Sequence, residues 1–128
     1  MTAEALPECQ TLRLVREGGT LFVYFNRPKA RNALSLQMVG ELEDVLAAIH
    51  SDRSVRVLVL RGEGGHFCAG GDVKDMASAR SQRFSVGGTD PIADLNRRFG
   101  TLITRLDRAP QTTVAVVEGA AMGGGFGL

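Results

Sequence analysis

The sequence has 128 residues and a formal net charge of +1, with 44% hydrophobic and 23% charged residues. This length and composition are ordinary for a globular protein with one core, and they exclude a fibrous repeat and a disordered chain. A net charge this small excludes a global field that would attract nucleic acid or an acidic membrane, so neither is expected as a partner.

The amino-terminal segment and the cysteines indicate the cellular compartment. Met1 to Gln10 has neither a basic cluster nor an apolar run, so it is unlike a signal or transit peptide. No stretch approaches the roughly 20 apolar residues of a membrane span. Without a secretory signal, Cys9 and Cys68 are expected to be free thiols. We therefore expect a soluble, cytoplasmic protein.

The first half of the chain predicts a hairpin, a helix and a strand. Thr11 to Val15 and Leu21 to Asn26 alternate in polarity on either side of a glycine turn, which is typical of an antiparallel hairpin. Ser35 is a good N-cap for an amphipathic helix that reaches His50, with a stripe of Leu36, Val39, Leu42, Leu46 and Ile49. Val55 to Leu60, aliphatic except at Arg56, is typical of a strand buried on both faces.

The second half continues the α/β pattern. Val73 to Ala79 is predicted as a short helix, and Arg80 to Pro91, which has no periodicity, as a mobile surface loop. Apolar spacing predicts a helix over Ile92 to Leu106, and Thr113 to Val117 is predicted as a second buried strand. The glycine-rich segment Gly119 to Leu128 leaves no residues for a helix to cover that strand, so we expect residues 1–128 to be part of a longer folding unit.

Two glycine-rich turns are candidates for a binding site, since each follows a predicted buried strand. In the first, from His66 to Asp72, backbone amides near Gly71 would bind a developing negative charge; the alternative is a tight turn that needs positive φ. In the second, Gly123 to Gly125 remove every side chain from the approach to the backbone. Together the turns would place two amide donors at one edge of a sheet.

Nucleotide-binding motifs do not fit the second turn. A P-loop that starts at Gly119 would need lysine at position 125, where the sequence has glycine. A dinucleotide fingerprint that starts at Gly123 meets Leu128 in place of its third glycine. A nucleotide-binding module is therefore disfavoured.

Three motifs resemble the crotonase (enoyl-CoA hydratase/isomerase) superfamily in order and spacing. They are Asn26-Arg27-Pro28-Lys29-Ala30-Arg31-Asn32-Ala33-Leu34, His66-Phe67-Cys68-Ala69-Gly70-Gly71-Asp72 and Glu118-Gly119-Ala120-Ala121-Met122-Gly123-Gly124-Gly125. The resemblance implies an α/β fold, a spiral of β-β-α repeats of which residues 1–128 form only the amino-terminal part. It also implies a carboxy-terminal helical region, absent from this sequence, that builds a homotrimer or a dimer of trimers.

The resemblance implies an acyl-CoA substrate and no separate cofactor. Neither His50 nor His66 has metal-ligand spacing with a partner, so no metal is expected. Gly71 and Gly124 match the two oxyanion-hole donors that hold the thioester carbonyl. Arg31 and Lys74 match positions that contact the phosphates of coenzyme A, with solvated surface charge as the alternative. Ala33 and Ala69 match the wall along the coenzyme A path.

Departures from the family pattern limit the choice of reaction. Hydratases of the family usually have a catalytic glutamate two residues after the glycine triplet, where this sequence has Gly127. Glycine there resembles hydratases of carboxylated enoyl-CoA, such as the methylglutaconyl or isohexenylglutaconyl type, and also dehalogenases. Glu118 is interpreted as solvated or salt-bridged rather than as an acid/base, and Cys68 as a packing residue.

The leading hypothesis is an enoyl-CoA hydratase of fatty acid metabolism. An enoyl-CoA isomerase is the next, because both reactions pass through the same enolate. A third hypothesis is a different reaction of the superfamily, such as that of a hydrolase, and a fourth is a paralogue that binds acyl-CoA without turnover.

Overall fold

The computed structural model describes residues 6–72, 77 and 91–128. Besides 3-10 helices at Pro28–Ala30 and Glu63–Gly65, their strands and α-helices follow in the order β1 (Leu12–Glu17), β2 (Thr20–Phe25), α1 (Leu36–Ile49), β3 (Val57–Gly62), α2 (Pro91–Asp107), β4 (Thr112–Val116) and α3 (Gly124–Gly127). The helix predicted at 73–79 and the loop predicted at 80–91 lie outside the described residues, apart from Ala77 and Pro91.

The four strands form one mixed sheet in the order β1-β2-β3-β4. β1 and β2 are antiparallel, as the hairpin pattern predicted, and Gly18 turns between them at a φ of 58°. β2, β3 and β4 run parallel to one another, so their carboxyl ends meet at one edge of the sheet.

β3 begins two residues later than the aliphatic run suggested. The amides of Arg56 and Val57 both donate to the carbonyl of Gly19, at 2.7 and 3.1 Å, so pairing with β2 starts at Val57. Val55 is buried but lies before the paired strand. The buried part of this segment therefore begins at Val55, two residues before the backbone pairing with β2.

α1 covers one face of the sheet. The Ser35 hydroxyl accepts a hydrogen bond from the Met38 amide at 3.0 Å, which confirms the predicted N-cap. The buried side chains of the helix are Met38, Val39, Leu42, Val45, Leu46 and Ile49. Leu36, predicted on this stripe, is 40% exposed because it starts the helix on its outer side.

The core lies between the sheet and the two long helices. Leu21, Val23 and Phe25 of β2 are fully buried, and the Phe25 ring meets that of Phe67 edge-on at 5.2 Å. α2, predicted over Ile92 to Leu106, contributes the buried Leu102 and Leu106. None of the described helices is both long and apolar enough to cross a membrane.

The prediction that β4 is a buried strand was wrong. Its first four residues are exposed, and Val114 retains 43% of its accessible surface. The prediction of a strand at this position is confirmed. Burial, however, depends on what packs against each face, and β4 is the edge strand, paired with β3 alone among the described residues.

Candidate functional site: two turns at the carboxyl edge of the sheet

Two turns lie side by side where β3 and β4 end: the β3 turn (residues 63–72) and the β4 turn (residues 117–123). The Cys68 amide donates to the carbonyl of Ala120, and the Met122 amide donates to the carbonyl of Cys68, both at 3.0 Å. The Ala120 amide also donates to Nδ1 of His66 at 2.9 Å. These bonds hold the two turns in register.

The segment 31–34 pairs with the other side of the β3 turn. The Ala69 amide donates to the carbonyl of Arg31 at 3.1 Å, and the Leu34 amide donates to the carbonyl of Gly70 at 2.7 Å. The β3 turn is therefore the middle of three extended segments that continue the sheet beyond its strands.

The backbone of Gly71 is directed away from the segment 31–34. Leu34 forms a parallel bridge opposite Gly71, but its two hydrogen bonds go to the carbonyl of Gly70 and the amide of Asp72. In a parallel pair the intervening residue has its own N–H and C=O on the opposite side. Within the described part of the chain the Gly71 amide has no acceptor, and the residue is exposed.

Gly124 begins α3 and lies against α2. A Cβ there would come within 3.0 Å of the Phe99 ring and 3.4 Å of a Leu34 methyl. It follows Gly123, whose φ of 52° needs glycine. Among residues 6–72, 77 and 91–128, no carbonyl accepts a hydrogen bond from the Gly124 amide.

The backbones next to the two amides are in contact. A Cβ at Gly70 would lie 3.0 Å from the carbonyl oxygen of Met122, and a Cβ at Gly123 would lie 4.0 Å from the Cα of Gly70. Residues adjacent to Gly71 and Gly124 therefore touch, and the fold brings these two sequence-predicted residues to the same edge of the sheet.

Three of the four remaining predicted site residues lie at the same edge of the sheet. Arg31 is exposed and has a φ of 51°, and its carbonyl is bonded to Ala69. The Ala33 carbonyl accepts from the Arg27 guanidinium at 2.5 Å. Arg31, Ala33 and Ala69 are thus joined through the segment 31–34. Lys74 lies outside the described residues.

Asn32 is a site-supporting residue whose role the sequence analysis missed. Its side chain is fully buried, accepts from the Arg27 amide at 2.8 Å, and donates to the carbonyls of Glu63 and His66 at 2.9 and 2.7 Å. One local feature of the sequence could have pointed to Asn32. It follows the turn at Pro28, and asparagine is common in turns because it tolerates positive φ.

The ion pair between Arg27 and Asp72 was also missed. Their side chains meet at 2.8 Å and are only 25% and 10% exposed. The pair fixes the start of the segment 31–34 against the end of the β3 turn.

Burial and pairing decide the roles of Glu118 and Cys68. Glu118 accepts from Arg61 at 3.0 Å, and both side chains are about half exposed, which confirms the salt-bridge interpretation. Cys68 is completely buried, and this burial raises the pKa of its thiol, which confirms its interpretation as a packing residue.

Both cysteines are free thiols. The pKa of Cys9 is raised to about 11, mainly by burial and further by the negative charges of Glu41 and Asp44.

Position 127 is open. Gly127 is exposed, and the nearest atom to a Cβ built there is a methyl of Ile103 at 4.0 Å. Against the described residues a Cβ would fit, so their packing does not require glycine at this point. Over the described ranges, no three His, Cys, Asp or Glu side chains gather in a group that could hold a metal ion.

Comparisons with known proteins agree on one family. The family model described as enoyl-CoA hydratase/isomerase matches residues 20–128. Pseudomonas aeruginosa AtuE is 56% identical with a TM-score of 0.84, over 91% of this chain and 43% of that one. An enoyl-CoA hydratase/isomerase from Marinobacter aquaeolei is 54% identical with a TM-score of 0.87, over 93% and 45%.

A curated relative gives the same assignment from sequence. The enoyl-CoA hydratase AFT6-1 of Alternaria alternata is 32% identical over 98% of this chain and 39% of its own length. The chain therefore spans less than half the length of these relatives, and its fold is the corresponding part of the crotonase fold.

Proposed function

The chain belongs to the enoyl-CoA hydratase/isomerase family, and from this premise we propose that Gly71 and Gly124 form the oxyanion-binding part of an acyl-CoA site. The proposed reaction is hydration of an α,β-unsaturated thioester. The thioester oxygen accepts hydrogen bonds from both backbone amides, and coenzyme A is part of the substrate.

The observation that carries the proposal is the bonding around Gly71. Leu34 bonds to the residues on either side, which leaves the Gly71 amide on the face where the Gly70 backbone meets Gly123. Gly124 follows directly. In the described structure the amides of Gly71 and Gly124 have no acceptor and belong to adjacent backbone segments. A carbonyl oxygen that gains negative charge is stabilised by two such donors.

The chemistry assigned to these amides is electrostatic. When water adds to Cβ, the electron pair of the double bond moves to the thioester oxygen and gives an enolate; Cα then takes a proton. Amides that are fixed before the charge develops need no reorganisation, and removal of one such donor typically lowers the rate by about 10²–10³.

The proton-transfer group is proposed to come from elsewhere. Gly127 occupies the position where many family hydratases have glutamate, and Glu118 is engaged by Arg61. The open space at Gly127 supports a substrate that brings its own carboxylate to this region, as with branched or carboxylated enoyl-CoA of the methylglutaconyl or isohexenylglutaconyl type.

Arg31 is proposed to contact the phosphates of coenzyme A, with Ala33 and Ala69 along its path and Lys74 as a second cation. Exposure of Arg31 supports this, since its guanidinium has no ion-pair partner in the described part of the chain. Enoyl-CoA isomerisation is the second candidate, because the Marinobacter structure is named for both activities. Trimer formation and a cytoplasmic location stay predictions.

The test compares Gly124→Pro with Gly124→Ala in the purified protein. Proline removes the amide hydrogen, whereas alanine keeps it and adds the same Cβ against Phe99. The measurement is loss of the ultraviolet absorbance of the conjugated thioester over a panel of enoyl-CoA substrates, carboxylated ones included. We expect a kcat/KM about 10²-fold lower or more for proline than for alanine.

Equal losses in the two variants would assign the effect to crowding against Phe99 and overturn the oxyanion role of Gly124. Coenzyme A binding without turnover of any thioester would replace the hydratase proposal with a binding-only protein.

A further inference from the structure

A second cleft lies at the opposite edge of the sheet, where β3 and β4 begin. It has a volume of about 810 Å³ and joins a smaller one of about 220 Å³ beneath the end of α2. Strands of five or six residues separate this edge from the two turns by roughly 15–20 Å at about 3.3 Å per residue. The cleft is therefore distinct from the proposed thioester site.

The cleft is lined by guanidinium groups. Arg53, Arg56 and Arg108 are exposed at its wall, and none forms an ion pair within residues 6–72, 77 and 91–128. The one acidic residue of the lining, Asp52, is already paired with Arg16 at 3.5 Å. Apart from the paired Asp52, no carboxylate of the lining offsets these three cationic groups.

The carboxyl ends of two helices oppose this charge only in part. α1 and α2 both end beside the cleft, and each end carries a partial charge of roughly −0.5. Together they offset about one of the three guanidinium charges, so the cleft keeps a net charge of about +2. An anion is the ligand that this field favours.

Gln111 adds a hydrogen-bonding requirement. It lines both parts of the cleft and is 6% exposed, and its Nε2 donates to the carbonyl of Ile49 at 2.6 Å. This bond fixes the orientation of the amide. Its Oε1 is buried and has no partner in the described structure. A buried acceptor without a donor is costly, by about 1–3 kcal/mol for a typical group.

We propose that this cleft binds a protonated phosphate group, either free phosphate or the phosphate of a small ester. The guanidinium groups of Arg53, Arg56 and Arg108 hold its charged oxygens. Its remaining O–H donates to Oε1 of Gln111 once a shift of that side chain uncovers the atom, which is covered in this structure. Planar guanidinium forks suit phosphate oxygens. The volume is within the range of about 300–1,000 Å³ that is usual for small-molecule sites.

The test is a titration of the isotope-labelled protein, followed by NMR of the arginine Nε and glutamine side-chain signals. The probes are inorganic phosphate, which keeps an O–H at pH 7, and sulfate, which has none. We expect saturable shifts at Gln111 and Arg108, with phosphate binding several-fold more tightly than sulfate. A third titration compares glycerol 2-phosphate with phosphate at pH 5.5, where the monoester also keeps an O–H because its second pKa is about 6. Tighter binding than phosphate identifies an ester, and equal or weaker binding identifies free phosphate.

Matched variants separate the site from general surface charge. Arg53→Gln with Arg108→Gln is expected to weaken phosphate binding about tenfold, as loss of two partly exposed charge pairs should. Arg97→Gln, in the first half of α2 and outside the lining of the cleft, is the control and should change nothing. Gln111→Met should abolish the preference for phosphate over sulfate. Shifts that do not saturate, or that persist in the double variant, would overturn the proposal.

Discussion

Asn32 shows what a single residue contributes to the candidate site. It has a φ of 59°, and its side chain satisfies one amide and two carbonyls from two parts of the chain, Arg27 and the β3 turn. Buried polar groups that lose such partners cost about 1–3 kcal/mol each. The side chain therefore holds the segment 31–34 against the β3 turn.

Asn32→Ala is expected to lower the free energy of unfolding by about 3–4 kcal/mol, because it leaves the three partner groups buried without hydrogen bonds. Urea titration followed by circular dichroism measures the change. Arg31→Ala is the matched control, since it has the same positive φ at an exposed position. A similar loss in both variants would attribute the effect to backbone strain alone.

At this scale the sequence identified the residues with recognisable motifs but not their contacts. Cys68 and Glu118 were interpreted correctly because burial of a thiol and pairing of a surface carboxylate are the common cases. The long-range partners of Asn32, Arg27 and Gln111 lie 31 to 62 positions away along the chain, so no local pattern could reveal them.

At the scale of elements, close packing of glycines joins the two turns. A Cβ at Gly125 would lie 2.3 Å from the carbonyl oxygen of Cys68 and 2.7 Å from its Cβ. No side chain fits in that space. α3 can therefore approach the β3 turn only because its second residue is glycine.

Gly125→Ala should separate the turns and lower both thermal stability and activity toward enoyl-CoA, since the clash is with backbone that cannot rotate away. The destabilisation should be about 2 kcal/mol or more. Gly127→Ala, two residues along, is the control, because its Cβ would have ordinary contact with Ile103. Differential scanning calorimetry measures both variants, and equal melting temperatures would contradict this account.

The elements themselves were largely predictable. The hairpin, α1, α2 and the existence of β3 and β4 follow from local periodicity and caps, which short-range physics determines. The start of β3 was displaced because its pairing depends on the Gly19 carbonyl, which lies in another element. The exposure of β4 depends on sheet order, which periodicity does not encode.

At the scale of the whole molecule, Glu41 ties the amino-terminal segment to α1. Its carboxylate accepts from the hydroxyl and the amide of Thr11 at 2.7 and 2.9 Å, and from the amide of Gln10 at 3.1 Å. Burial by itself raises the pKa of Glu41, but these bonds and one from Gln37 outweigh it, so the pKa is lowered.

A carboxyl whose pKa is lowered on folding stabilises the protein above its unfolded pKa of about 4.5, and this contribution is lost as the pH falls through the folded pKa. We therefore expect the free energy of unfolding to fall as the pH drops below about 4.5, and less steeply in Glu41→Gln. Urea titrations across this range test it. Glu17→Gln, at the exposed end of β1, is the control. Parallel curves of unfolding free energy against pH for wild type and Glu41→Gln would contradict this role of Glu41.

The sequence by itself determined the family, the α/β class and the two glycine turns, because motifs and periodicities are short-range features. Only the tertiary structure decided which backbones touch at Gly70 and Gly123, which strand forms the edge, and which polar groups satisfy Asn32 and Arg27. It also placed three arginines around Gln111. These are outcomes of packing between distant segments, where a contact depends on register and sheet order rather than on any neighbouring residue.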